Sequence, residues 1–296
     1  MSESGVAAGR TPPVRAEYVR DTALETTFGV VEKPLTVWEK AYNNAALRKT
    51  FLLTVLALIW ELYARHLNNE LLVPTFGATI QAFGLAIGSG ELPGKAYNSI
   101  KLLLQGYALG LGLALVLTTL AMLTRIGNDL LESLTAMFNP LPAIALLPLA
   151  LIWFGLGEKS IIFVLVHSVL WAVALNTHSG FKGVSNTLRM VGRNYGLTGT
   201  RFILQILIPA AFPSILTGLK IGWAFAWRTL IAAELVFGAS SGKGGLGWFI
   251  FESKNQLDIP NVFAGLFTVI LIGLVIENLV FRNVEMKTVR KWGMQS

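Results

Sequence analysis

Arg189 to Pro209, RMVGRNYGLTGTRFILQILIP, is a polar, basic segment set between two apolar runs of a chain that is otherwise mostly apolar. Met190 to Tyr195 can form one short helix, and Gly196-Leu197-Thr198-Gly199 interrupts it. Thr200 to Ile208 then begins a second helix, which Pro209 and Pro213 are expected to bend back toward the next apolar run. A helix-turn-helix lying on a membrane face is the prediction, its arginines close to anionic lipid.

Working outward, 53% of the 296 residues are hydrophobic and 14% are charged, a balance that a soluble domain could not keep off its surface. Apolar runs long enough to cross about 30 Å of hydrocarbon fall near 51–67, 99–123, 131–154, 160–177, 212–237 and 261–281. The first, third, fifth and seventh of the segments outside them hold 16 Lys and Arg, and the others hold 4. This is the positive-inside pattern for six spans with both termini in the cytoplasm. It also accounts for the net charge of +7 without a nucleic-acid partner. Residues 1–48 lack apolar periodicity and read as a cytoplasmic tail, 49–285 as the transmembrane domain with a cytoplasmic loop at 183–209, and 286–296 as a second tail. No apolar run precedes about residue 50, so no cleavable secretory signal is expected. Between the first two spans, Ile80, Phe83, Leu85 and Ile87 suggest a short interfacial helix closed at Gly88-Ser89-Gly90.

Gly106/Gly110 and Gly218/Gly222 have the four-residue spacing that lets helices approach closely. Pro140, Pro142 and Pro148 interrupt the third run, and broken backbone at membrane depth persists only when buried in protein or lining a cavity. Gly238-Ala239-Ser240-Ser241-Gly242 matches the serine-hydrolase pattern G-x-S-x-G but follows a long apolar helix instead of a strand. Gly242-Lys243-Gly244-Gly245 lacks the Ser or Thr of a phosphate loop. No cysteine is present, and the three histidines, His66, His167 and His178, are scattered. Catalytic residues, a metal site and a cofactor are therefore not expected.

Gly196, nine residues, then Ile206-Leu207-Ile208-Pro209 resembles the "EAA" loop of ABC importer permeases, with Met190, Val191 and Gly192 where Glu-Ala-Ala would stand. Leu147–Ser160 (LPLALIWFGLGEKS), Leu175-Asn176-Thr177, Gly218-Leu219-Lys220-Ile221-Gly222 and Ala232-Ala233-Glu234 are similar, in order, to permeases of the nitrate/sulfonate/taurine importer family. The resemblance covers about residues 70–285. It implies an all-α type I importer (MetI-like) permease fold in a bacterial inner membrane, used as a homodimer. Two ATP-binding-cassette ATPase subunits and a periplasmic or lipoprotein solute-binding protein would be its partners. The resemblance also implies ATP-driven alternating access, with hydrolysis left to the ATPase and Arg189, Met190, Gly192, Arg193, Gly196, Arg201 and Pro209 forming the coupling loop. A partner-independent secondary transporter or channel is the competing class, and a membrane enzyme using Ser240 the third.

Ionisable residues at membrane depth are expensive and usually functional. Lys220 lies close enough to the cytoplasmic end of the fifth span to snorkel. Arg228, flanked by Trp227 and Thr229, does not, and is expected to face the pathway and offer a bidentate guanidinium to an anion. The alternative is an internal ion pair. Glu234 lies about 120° away from Arg228 on an ideal helix, which makes Glu277 the better partner. His167 and Asn176 are expected either to line the pathway or to hydrogen-bond across helices.

Overall fold

The structure, a computed structural model, describes residues 36–237, 244–291 and 293, which are helical with no strand among them. The Ser240 motif, Lys243 and residues 1–35 of the N-terminal tail lie outside the described residues. The chain divides into two units, Met1–Leu53 and Thr54–Ser296.

In the first unit, α1 (Val37–Asn43) starts with a capping box. Glu39 Oε2 accepts from the Thr36 amide at 2.8 Å, and Thr36 Oγ1 accepts from the Glu39 amide at 3.3 Å. Helix α2 spans Ala45–Leu67, and its residues from Thr54 on belong to the second unit. There Trp60 packs against Phe76 and Phe263, with ring centroids 5.4 and 5.5 Å apart, and Glu61 accepts from the Gly77 amide at 3.1 Å.

The expected interfacial helix is α3 (Phe76–Gly88), capped by Thr75 and closed where Gly90 takes a φ of 80° to start α4 (Glu91–Leu123). After it come α5 (Arg125–Phe138), a 3₁₀ turn at Ala143–Leu146 and α6 (Leu147–Phe154). Next are α7 (Glu158–Gly183), α8 (Asn186–Asn194), α9 (Gly199–Phe202) and α10 (Ile208–Phe237). The chain ends with α11 (Leu246–Asn255), α12 (Ile259–Val275) and α13 (Arg282–Glu285).

By length and composition, four helical stretches among the described residues can cross a membrane: Glu91–Leu123, Glu158–Gly183, Gly199–Phe237 and Ile259–Arg290. The expected third span, 131–154, is instead a pair of helices meeting at 90°. Pro140 and Pro142 remove backbone donors, so the helix stops at Phe138 with Asn139 as its cap. The loop region also departs from expectation. Pro209 and Pro213 do not turn the chain, because a π-helical turn at Ile203–Leu207 joins α9 to α10 in one 39-residue element. The Ile208 amide donates to the carbonyl of Ile203, five residues back, and this widened turn sits where the Pro209 ring would otherwise meet the carbonyl of residue 205.

Helix α7 is the centre of the second unit, with 61% of its apolar window buried against 17–28% in the other three spans. The glycine pairs explain how. A Cβ on Gly106 or Gly110 would lie 2.5 Å from Leu165 Cβ or 2.7 Å from Val169 Cβ, and one on Gly218 would lie 2.8 Å from Asn176 Cβ. Thus α4 closes on one side of α7 and α10 on another, each through residues without side chains. His178 also bonds Asn128 at 2.9 Å, and Lys182 pairs with Glu132, tying α5 to the same helix.

Candidate functional site

The break at Asn139–Pro142 leaves a cavity of ≈ 390 Å³ between the α5–α6 junction, α7 and α10. Helix α10 contributes Phe225, Arg228, Thr229 and Ala232, which share one face because they recur at three- and four-residue intervals. From α7 come His167, Ser168 and Trp171, and from the break Phe138 to Ile144. Arg228 is exposed on the cavity and has no ion pair or hydrogen bond among the described residues.

The internal ion pair that could have claimed Arg228 is not formed. Glu277 lies 3.7 Å from Lys220 Nζ, and Lys220 also reaches Glu285 at 2.7 Å, so Lys220 is bridged to the last helical stretch instead of snorkelling free. Glu234 is engaged elsewhere. It is 3% exposed and accepts from Ser99 Oγ at 2.8 Å and from the Gly247 amide at 2.9 Å, while Ser99 Oγ accepts from the Leu246 amide at 2.8 Å. The carboxylate and the hydroxyl together receive the first free amides of α11, where helix-dipole and hydrogen-bonding terms add. Gly245 leaves the space for this, since a Cβ there would lie 2.2 Å from Glu234 Oε1.

Three of the expected pathway residues therefore line no part of this cavity. Glu234 anchors α11, Trp227 donates from Nε1 to the Val269 carbonyl at 3.3 Å on the α12 side, and Asn176 bonds the Ala172 carbonyl of its own helix at 2.8 Å beneath Gly218. Arg228 and His167 do meet there. The cross-helix hydrogen bond expected of His167 is absent among the described residues, because its ring is held edge-on by Phe138 and Trp171, with centroids 6.1 Å away in each case. Trp171 itself stacks on Phe138 at 5.2 Å and 14°. It was legible in sequence as the residue four beyond His167 on the same face, whereas nothing in sequence marks Ser99.

Replacing Glu234 by alanine should strip the Gly247 amide and the Ser99 hydroxyl of their acceptor, at about 1–3 kcal/mol per buried group left unsatisfied. Hydrogen exchange over residues 246–255 should rise in Glu234→Ala and much less in Glu234→Gln, which keeps an acceptor oxygen. Equal exchange in wild type and Glu234→Ala would contradict this anchoring role.

At the loop, α8 ends in a Schellman motif. Gly196, at φ 73°, donates to the Arg193 carbonyl at 2.9 Å, and Leu197 donates to that of Gly192 at 3.1 Å. Gly192 is the contact point with the next helix, since a Cβ there would lie 2.9 Å from both Ile206 and Phe202. Arg189 donates from Nε to the Val184 carbonyl at 3.1 Å and from Nη2 to that of Phe181, capping the end of α7. Arg193 and Arg201 are exposed and have no partner among the described residues, and Pro209 is also exposed. Met190 on α8 and Tyr195 at its C-cap are 56% and 81% exposed.

Residues 106–284 match the family model described as the binding-protein-dependent transport system inner membrane component. The chain is 35% identical over 223 residues to a putative ABC transporter permease of Methanocaldococcus jannaschii, covering 74% of this chain and 82% of that protein. It is 30% identical over 287 residues, 97% of this chain and 96% of the other, to a putative aliphatic sulfonates transport permease of Bacillus subtilis. A nitrate import permease of Synechocystis sp. is 26% identical over 246 residues, 81% of this chain and 88% of that protein.

Proposed function

Because the chain belongs to the family of binding-protein-dependent transport system inner membrane components, we propose that it is the permease subunit of an importer for a small anionic solute. The observation that carries the anionic part is Arg228, a guanidinium without a partner among the described residues, facing a cavity next to a broken helix. Relatives named for sulfonate and nitrate transport are consistent with that chemistry. Six crossings with both termini in the cytoplasm are the topology that the distribution of Lys and Arg supports, with α2 and the bent α5–α6 pair added to the four long helical stretches. A second copy of the chain, two ATPase subunits and an external solute-binding protein complete the assembly. ATP binding would move α8 and α9 with the ATPase and shift the bundle between two access states, and the permease itself hydrolyses nothing.

The direct junction of α9 with α10 supports such coupling, since a displacement at Gly199 is carried by one helical element toward Arg228. Docking would rest on the exposed Met190 and Tyr195 side chains, given Met190 in the place of the family's glutamate and Arg189 engaged in capping α7. Met190→Asp and Tyr195→Asp should each weaken co-purification of the ATPase by tenfold or more, with Arg193→Gln and Arg201→Gln close to wild type. The opposite ranking would show that docking is electrostatic. Failure of the wild-type chain to retain any ATPase, together with uptake driven by an ion gradient alone, would replace the importer with a secondary transporter.

A further inference from the structure

We infer that the cavity beside Arg228 is a subsite for organic monoanions with an apolar body, and that it disfavours both zwitterions bearing an ammonium group and bare inorganic anions. This inference rests on the import-permease function proposed above and narrows the solute within it.

The lining has two chemically different sides. On α10, Arg228 is the sole charged side chain of the lining, with Thr229 next to it in the chain. Thr229 Oγ1 lies 3.0 Å from Ser168 Oγ, which is also 3.2 Å from the Val164 carbonyl, so the two hydroxyls are engaged with each other and with α7. A sulfonate or carboxylate head can receive a forked pair from the guanidinium. From α7 and the α5–α6 junction, the Phe138–Trp171 stack and Ile144 supply an apolar wall. A ≈ 390 Å³ space lies in the range of small-molecule sites and accommodates a short alkyl chain against that wall.

What the lining lacks matters as much. No carboxylate is among its described residues, so a ligand ammonium would lose its hydration beside Arg228 with no opposite charge to replace it. Trp171 Nε1 and both ring nitrogens of His167 are buried without a hydrogen-bond partner among the described residues. Nitrate would satisfy Arg228 but leave the aromatic wall uncovered. Each methylene buried there is worth about fourfold in affinity.

The test uses the permease with its ATPase subunits in lipid nanodiscs, without the solute-binding protein, titrated by calorimetry with 1-propanesulfonate, methanesulfonate, taurine and nitrate. Taurine and 1-propanesulfonate are near-isosteric, differing by an ammonium in place of a methyl. Propanesulfonate should bind about tenfold or more tightly than each of the other three. Arg228→Gln should lower its affinity at least tenfold, and Arg228→Lys by less. Taurine or nitrate binding within threefold of propanesulfonate, or no measurable propanesulfonate binding, overturns the subsite. If ATP-dependent uptake of any of these solutes persists in the complete system, the import function stands while this selectivity falls. Absence of both uptake and ATPase association would instead remove the function itself.

Discussion

Solute uptake should fall about tenfold to a hundredfold when Arg228 becomes alanine, while membrane insertion and ATPase association stay at wild-type levels. The size follows from the loss of hydrogen bonds to an ionised group, about 1.5–3 kcal/mol, at about 1.4 kcal/mol per decade. The fold should tolerate the change, because Arg228 holds no other side chain among the described residues. Arg228→Lys should fall between the two, since an ammonium keeps the charge but not the planar fork. Uptake can be measured with labelled sulfonate in proteoliposomes containing the ATPase and the binding protein. Unchanged uptake in both variants would show that Arg228 is not on the pathway.

Gly106→Val should cause a severe loss of folded, monodisperse protein, whereas Gly112→Val, six residues further along the same helix, should be close to neutral. A Cβ at Gly106 would stand 2.5 Å from Leu165 Cβ and 2.9 Å from its Cδ1, while nothing lies within 4 Å of one at Gly112. Both variants carry the same helix-propensity change, so their difference isolates packing. Overpacking of this kind costs about 1–3 kcal/mol, and the cost should exceed that range if α4 must also lift its Gly110 contact from Val169. Thermal unfolding in detergent, followed by the monodisperse fraction, reads the contrast. Equal stability of the two variants would mean that α4 does not approach α7 through Gly106.

Several features were legible because they are local. The proline cluster at 140–148 announced the helix break, the Gly88-Ser89-Gly90 run announced the end of α3, and four-residue glycine spacing announced the close approach onto α7. In each case the relevant chemistry lies within one or two turns of the residue concerned. The same locality misled at Pro209 and Pro213, where a bend was expected. A π turn one residue upstream accommodates the proline, and the helix runs on into α10.

Partner choice among the buried and half-buried charges was not legible. Sequence placed Arg228 and Glu234 on different faces of one helix and so argued against their pairing, but it could not say what each face meets. Folding brings the start of α11 to Glu234, with Ser99 of α4 completing the contact, and brings Glu285 and Glu277 to Lys220. Those encounters join residues as many as 147 positions apart, as between Leu246 and Ser99. Arg228 is left facing the cavity once they are made. Composition, charge asymmetry and ordered motifs were sufficient for the membrane class and the family, because hydrocarbon thickness and backbone hydrogen bonding act on every segment alike. Which arginine stays free depends on how α4, α7, α10 and α11 pack together, and no single helix carries that information.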